Sequence, residues 1–273
     1  MDETAMSPIE LLVSDVDGTL VTKEKLLTPT AIEAVRQLRA CRIKFAVTSA
    51  RPPFGMRMLC APLGLDLPMG PFNGSSIVDP DMTVREQHSV PRDAVTRSLA
   101  LFDRYGIDVW IFTNQRWFIR RDDGYYVARQ TMTIATDPVI ALDDTPFLDT
   151  ACKLVGVSAD FPLLARCETE LCAALGAAAT VARSQNYYLD VTPPGCDKGT
   201  FVESLGALLD IPLAAIATIG DMTNDLPMFS KSGISFAMGN AAEAVKARAT
   251  HRTASNDEDG FAKAVAAVLA LNG

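Results

Sequence analysis

Two carboxylates, Asp15 and Asp17, close the apolar run Ile9 to Val13 and are followed at once by Gly18 and Thr19. The run reads as a buried strand, and residues two apart in an extended segment point the same way, so both carboxylates can face one crevice. In an open parallel α/β sheet that crevice, at the carboxyl ends of the strands, is where ligands bind. Two further apolar runs end in polar residues. Ile43 to Val47 stops at Thr48-Ser49-Ala50-Arg51-Pro52, and Ala215 to Ile219 stops at Gly220-Asp221-Met222-Thr223-Asn224-Asp225. Each group alone has a bland reading, as a helix cap, an Asx-turn or an acidic helix start. Together they gather carboxylate, hydroxyl and amide oxygens without histidine or thiolate, which suits a hard divalent cation. Lys198 falls in the first turn of a helix after Pro193-Pro194-Gly195, where a cation opposes the helix dipole. A local rule broken in that way marks a functional position.

These residues need elements to hold them. Thr28-Pro29 opens a helix with Ile32, Val35 and Leu38 on one face, and with the strand Ile43 to Val47 it makes a βαβ unit and hence a parallel sheet. Pro71-Phe72-Asn73-Gly74 marks a tight turn, and Ser76 to Val78 and Thr83 to Gln87 read as short strands. From Pro91 the pattern changes. A helix over Asp93 to Tyr105 precedes the alternating run Ile107 to Phe112, which pairs with Trp117-Phe118-Ile119 as a hairpin. A strand at Lys153 to Val157, an Ala/Leu-rich helix at Pro162 to Leu175, and strands near Thr180 and at Tyr187 to Val191 complete an α+β block. The expected fold class is α/β, a parallel-sheet core interrupted by this insert.

Composition narrows the chemistry. A chain of 273 residues with 48% hydrophobic and 21% charged residues is globular and large enough for one large or two modest domains. Its net charge of −8 argues against nucleic acid or an anionic membrane as partner, so an anionic substrate must meet a local positive site. No run of 18 apolar residues suggests a membrane span, and the amino terminus, Met-Asp-Glu, carries no signal-peptide pattern. The six cysteines lack any Cys-x-x-Cys and are expected to be buried free thiols in a reducing cytoplasm. Only His88 and His251 are present, and the lack of His-Glu-x-x-His, Walker A or Gly-x-Gly-x-x-Gly patterns argues against triad, zincin and P-loop chemistry.

Asp-x-Asp-Gly-Thr at residues 15–19 resembles the first motif of the haloacid dehalogenase (HAD) superfamily. Ser49, with Thr48 as fallback, resembles the second motif, Lys198 within Leu-Asp-Val-x-Pro-x-Gly-x-x-Lys-Gly the third, and Gly220-Asp221-x-x-Asn224-Asp225 the fourth. The stretches Ala237 to Ala241 and Ser255 to Gly260 also match the Cof-type branch, subfamily IIB, whose members carry a C2-type cap. The resemblance implies a Rossmann-like HAD core over residues 1–83 and 191–273 and a substrate-selecting cap over residues 84–190. It implies Mg²⁺-dependent hydrolysis of a small phosphomonoester through an aspartyl-phosphate. Asp15 is then the nucleophile. Asp17 protonates the leaving oxygen and later activates water, and Ser49 and Lys198 hold the phosphoryl oxygens. Gly18, Ala50, Asn73 and Asn224 line the phosphate or substrate site. Asp15, the backbone carbonyl of Asp17 and Asp221 hold the metal, with Asn224 and Asp225 steadying its shell.

A carboxylate attacking a phosphate sets anion against anion, at about 4 kcal/mol per charge pair at 4 Å and an effective dielectric near 20, which explains why the cations are needed. The resemblance also allows a phosphomutase of the phosphomannomutase type, or a catalytically silent phosphometabolite-binding protein. The expected partner is a small phosphorylated metabolite, a sugar phosphate or a cofactor phosphate, and the expected assembly a monomer or homodimer. Arg51 either adds charge at the site or makes a structural ion pair. Arg116, Arg120, Arg121 and Arg129 in the insert read mostly as a solvated face. Trp110 shares a strand face with Asp108 and Phe112, so it is expected to look toward solvent or the interdomain cleft, away from the cap's own core.

Overall fold

A computed structural model describes residues 8–272, and the amino-terminal Met-Asp-Glu lies outside them. Strand β1 (Leu11–Ser14) is buried along its whole length, as expected of a central parallel strand covered on both faces. Helix α1 (Pro29–Ala40) starts at Thr28, whose hydroxyl accepts the Ala31 N–H, and leads into β2 (Lys44–Val47). Helix α2 (Pro53–Leu63) follows, and the hairpin β3 (Ser76–Val78) and β4 (Val84–Gln87) closes the first part of the core.

The insert begins with α3 (Arg92–Tyr105), β5 (Asp108–Phe112) and β6 (Trp117–Ile119). It continues through α4 (Val127–Ile134), β7 (Val139–Ile140), β8 (Lys153–Val157) and α5 (Phe161–Leu175) to β9 (Thr180–Gln185) and β10 (Tyr188–Thr192). Back in the core come α6 (Lys198–Leu209), β11 (Ile216–Gly220), α7 (Leu226–Ser230), β12 (Ile234–Ala237), α8 (Glu243–Lys246), β13 (His251–Arg252) and α9 (Gly260–Asn272).

The core sheet is parallel throughout, in the order β13-β12-β11-β1-β2. One apolar layer joins Leu12 and Phe45 to α1, α2 and α9, and another joins Leu11 and Val13 to Phe201 and Val202 of α6. The chain passes from β1 to β2 on one side and to β11 on the other, so the crevice between β1 and β11 is the switch point where a ligand site forms. The insert has its own six-stranded sheet, β7-β6-β5-β8-β10-β9. Its outer face packs Val109, Ile111, Leu154, Leu189 and Val191 against α3 and α5. Strand alternation sends Trp110, Phe112, Val155 and Tyr188 to the opposite face, which covers the carboxyl ends of the core strands. Strand β10 runs on to Thr192, so the boundary expected after residue 190 falls inside a strand.

Helix α4 docks on the core. Ile134 sits so close to α2 that a Cβ on Gly55 would lie 2.9 Å from Ile134 Cγ2, and only glycine permits that approach. The thiols differ from expectation: Cys152 and Cys167 are buried, but Cys41 and Cys172 are exposed, all of them free. Among the described residues no helix is long and apolar enough to cross a membrane.

Candidate active site

Asp15 leaves the end of β1 with its N–H donated to the Ile219 carbonyl of β11, which fixes its side chain in the switch-point crevice. The loop after β11 brings Asp221 and Asp225, and oxygens of Asp15, Asp221 and Asp225 lie within 4.8 Å of one another, all three residues buried. Lys198 reaches this cluster from the first turn of α6, its Nζ 2.5 Å from both Asp15 Oδ1 and Asp225 Oδ1. Two buried ion pairs outweigh the modest cost of a cation opposing the helix dipole. Asp225 Oδ2 accepts the N–H groups of Asp221 and Met222, so this residue both shapes the loop and positions the lysine.

One ammonium faces three carboxylates, which leaves a deficit of two positive charges. At separations of 4.8 Å or less and an effective dielectric near 20, each carboxylate pair, when ionised, repels by at least roughly 3.5 kcal/mol. Burial, only partly offset by Lys198, pushes Asp15 up to about 7. Burial and the charges of Asp15 and Asp225 push Asp221 up to about 8. Lys198 is held above its ordinary value because the Asp15 and Asp225 charges overcome the burial that would lower it. An oxygen-only cluster short of two charges fits a hard divalent cation.

That misfit of charge predicts a pH dependence. Between about 4 and about 8 the folded protein holds protons on Asp15 and Asp221 that the unfolded chain has lost. Stability in chelator should therefore fall as pH rises through that window. A cation binding the ionised cluster acts oppositely, so added Mg²⁺ should raise the melting temperature more at pH 8 than at pH 5. Thermal melts in EDTA and in Mg²⁺ at both pH values check this; equal stability at pH 5 and 8 in EDTA would show that the carboxylates do not repel.

Asp17 has a different environment. Arg51 holds it with two hydrogen bonds, Nε to Oδ2 at 2.6 Å and Nη2 to Oδ1 at 2.8 Å, and Lys25 Nζ adds a third at 2.8 Å. Burial would raise its pKa, but these cations hold it below the usual carboxylate range. Arg51 is thus an ion-pair partner inside the site. Gly18, at φ +84°, lets the backbone turn beneath Asp221; a Cβ there would lie 2.4 Å from Asp221 Oδ2.

Ser49 and Ala50 line the cleft, and Ser49 Oγ accepts the Arg51 N–H at 3.2 Å. Thr48, the fallback, is committed elsewhere, its hydroxyl donating to the Gly70 carbonyl at 2.8 Å. Asn73 adopts a left-handed conformation, donates its backbone N–H to Ser49 and accepts Asn224 Nδ2 at 3.0 Å. Two partners of Asp221 were not anticipated as site residues. Asn240 Nδ2 donates to the Gly18 carbonyl at 2.9 Å and to Asp221 Oδ2 at 3.1 Å, and Thr19 Oγ1 donates to Asp221 Oδ1 at 3.2 Å.

The cleft between core and insert opens to solvent, and Asp15, Asp17 and Ser49 lie on its core side. On the insert side stand Trp110, Tyr187, Tyr188, Arg129 and Lys153. Trp110 looks into the cleft at 3% exposure, packed edge-on against Trp117 and Tyr188 at 5.2 Å each. Of the four arginines singled out, Arg120 pairs with Asp103 and Asp144, Arg121 pairs with Asp123, and Arg129 lines the cleft over the Tyr187 ring at 5.2 Å. Arg116 is exposed.

Comparison with known proteins agrees with this geometry. A family model described as haloacid dehalogenase-like hydrolase matches residues 12–265. A protein of Yersinia pestis named HMP-PP phosphatase is 25% identical over 236 residues, 86% of each chain. The crystal structure of a haloacid dehalogenase-like hydrolase from Bacteroides thetaiotaomicron superposes with a TM-score of 0.86 at 26% identity, over 95% of this chain and 99% of that one. A sugar phosphatase of HAD subclass IIB shares the fold at a TM-score of 0.83 and 21% identity, over 96% and 99% of the two chains.

Proposed function

Because the chain belongs to the haloacid dehalogenase-like hydrolase family, we propose that it is a Mg²⁺-dependent phosphatase hydrolysing small phosphomonoesters through an aspartyl-phosphate on Asp15. The observation that carries this reading is the buried cluster of Asp15, Asp221 and Asp225 around Lys198, at the foot of a cleft lined by both core and insert. The phosphatase names of relatives point the same way.

Asp15, Asp221 and the Asp17 backbone would hold Mg²⁺, with Asn224 and Asp225 as support; once bound, it supplies the missing positive charge beside the phosphoryl oxygens. An oxygen of Asp15 attacks phosphorus, and the bond to the ester oxygen breaks. Lys198 and the Ser49 hydroxyl hold phosphoryl oxygens as charge develops on them. Asp17 gives a proton to the departing alkoxide, then takes one from the water that attacks the aspartyl-phosphate, releasing phosphate and restoring Asp15. Arg51 and Lys25 hold Asp17 below the usual carboxylate range, so its protonated form requires that these pairs loosen. The core sheet around β1, β2 and β11 does the chemistry, and the cap that begins at α3 selects the alcohol. A reducing cytoplasm suits the free thiols.

Phenyl phosphate hydrolysis that needs Mg²⁺ and stops in EDTA is the expected result, and full activity in excess EDTA would sink the reading. In Asp17→Asn, aryl phosphates with acidic leaving groups should lose least at the first step, because they leave without a proton. A leaving-group series in single-turnover mode checks this; equal loss across leaving-group pKa would argue against Asp17 as the acid. Trp110 gives an optical readout. Mg²⁺ with beryllofluoride should shift tryptophan emission, and Asp15→Ala should remove the shift. An unchanged spectrum despite mimic binding shown by calorimetry would mean that the cap does not move around Trp110.

A further inference from the structure

Lys153 and Asp190 form a buried ion pair on the cleft face of the cap sheet. They lie on neighbouring strands β8 and β10, at 6% and 3% exposure, on the face that carries Trp110, Phe112 and Val155. Lys153 Nζ is 2.5 Å from Asp190 Oδ2, close enough for an ion pair, yet neither Asp190 oxygen accepts a well-directed hydrogen bond. Nζ also approaches the Ala50 carbonyl at 3.4 Å, beside Ser49 in the core loop. An ammonium has three protons to donate, and among the described residues only the Ala50 carbonyl accepts one in hydrogen-bond geometry.

A buried ion pair within an apolar face is not a stabilising choice, since well-packed apolar residues in its place are often neutral or better. Its retention here needs another reason, and its position supplies one. Lys153 lines the cleft while Asp190 lies behind it. The carboxylate pins the lysine from behind, which leaves N–H groups of Nζ available where the alcohol of a substrate would sit between the cap rings and Ser49.

We propose that Lys153, positioned by Asp190, is the residue that selects the alcohol portion of the substrate, favouring phosphate esters of a polar ring whose hydroxyl, carbonyl or ring nitrogen accepts from Nζ while the ring lies against Trp110 and Tyr188. This rests on the phosphatase reading above. The acceptor can come from a carbohydrate or from a heterocycle, and the test separates the two. The remaining cap cation in the cleft, Arg129, is engaged with the face of Tyr187, so Lys153 is the better placed of the two to read a ring beside the phosphoryl group.

The experiment measures kcat and KM with Mg²⁺ for glucose 6-phosphate, ribose 5-phosphate, pyridoxal 5′-phosphate and phenyl phosphate, the last offering Lys153 no ring acceptor. The wild-type enzyme should prefer at least one polar-ring ester over phenyl phosphate by tenfold or more in kcat/KM, and the preferred arm tells carbohydrate from heterocycle. In Lys153→Met/Asp190→Leu that preference should fall at least tenfold, mainly through KM, with the melting temperature held or raised. Lys153→Met/Asp190→Asn, which removes the donor but keeps a polar group behind it, should lose the preference equally and covers the case in which the wholly apolar pair fails to fold. A folded double variant with the wild-type preference, or a wild type with none, overturns the proposal while phenyl phosphate turnover leaves the phosphatase reading standing. Absence of turnover on every ester, phenyl phosphate included, overturns both.

Discussion

Asp15→Asn is expected to lower phenyl phosphate turnover by at least about 10⁴-fold, the scale seen when a covalent nucleophile is removed, and to leave no phosphoenzyme after acid quench. The same change should not weaken the fold. Asp15 is one of three carboxylates crowded around one ammonium, and burial already raises its pKa to about 7. An amide there removes a repelled charge while its oxygen can still accept from Lys198. Melting in EDTA at pH 8 should thus match or exceed wild type. A variant both inactive and clearly less stable would mean that Asp15 serves the scaffold more than the chemistry.

Lys198→Met should do the reverse to stability. It leaves Asp15 and Asp225 buried without their shared cation, and breaking a buried pair by removing one partner costs about 3–5 kcal/mol. For a chain of this size that corresponds to a melting temperature about 6–20 °C lower in EDTA. The loss should shrink at pH 5, where Asp15, already raised to about 7 by burial, takes up a proton. Turnover should fall with it, since the phosphoryl group loses a fixed positive charge. A melting temperature within about 2 °C of wild type at pH 8 would show that solvent or another group already compensates the cluster.

The residues brought together at the crevice were legible because each stands at the end of an apolar run or opens a helix, and those signals are local. Asp15, Asp221 and Lys198 needed only that parallel strands end at one edge. The partner of Arg51 was not legible in this way: its ion pair with Asp17 spans 34 positions, and no local pattern states which carboxylate a lysine or arginine will meet. Asn240 sat in a stretch singled out for its resemblance, yet its role depends on a loop returning to Gly18 across 222 positions. Helix α4 escaped notice because its eight residues include Val127, Thr131, Thr133 and Ile134, β-branched side chains that weaken a helical signal. What keeps it in place is the contact of Ile134 with the bare backbone at Gly55, a tertiary fact. Trp110 was placed by alternation alone, since Asp108 shares its strand face, and period-two reasoning survives tertiary context better than propensity does.

The position of β1 has a consequence for how the protein is made. It lies between β2, its near neighbour in the chain, and β11, which is synthesised only after the whole insert. Until Ile216–Gly220 leaves the ribosome, one edge of the apolar strand Leu11–Ser14 has no partner, and such an edge invites pairing with other chains. Asp15 meanwhile waits for a lysine 183 positions away. Contacts of that span fold slowly, so a nascent chain stalled within the cap should be prone to aggregation and dependent on chaperones in a way that the finished enzyme is not.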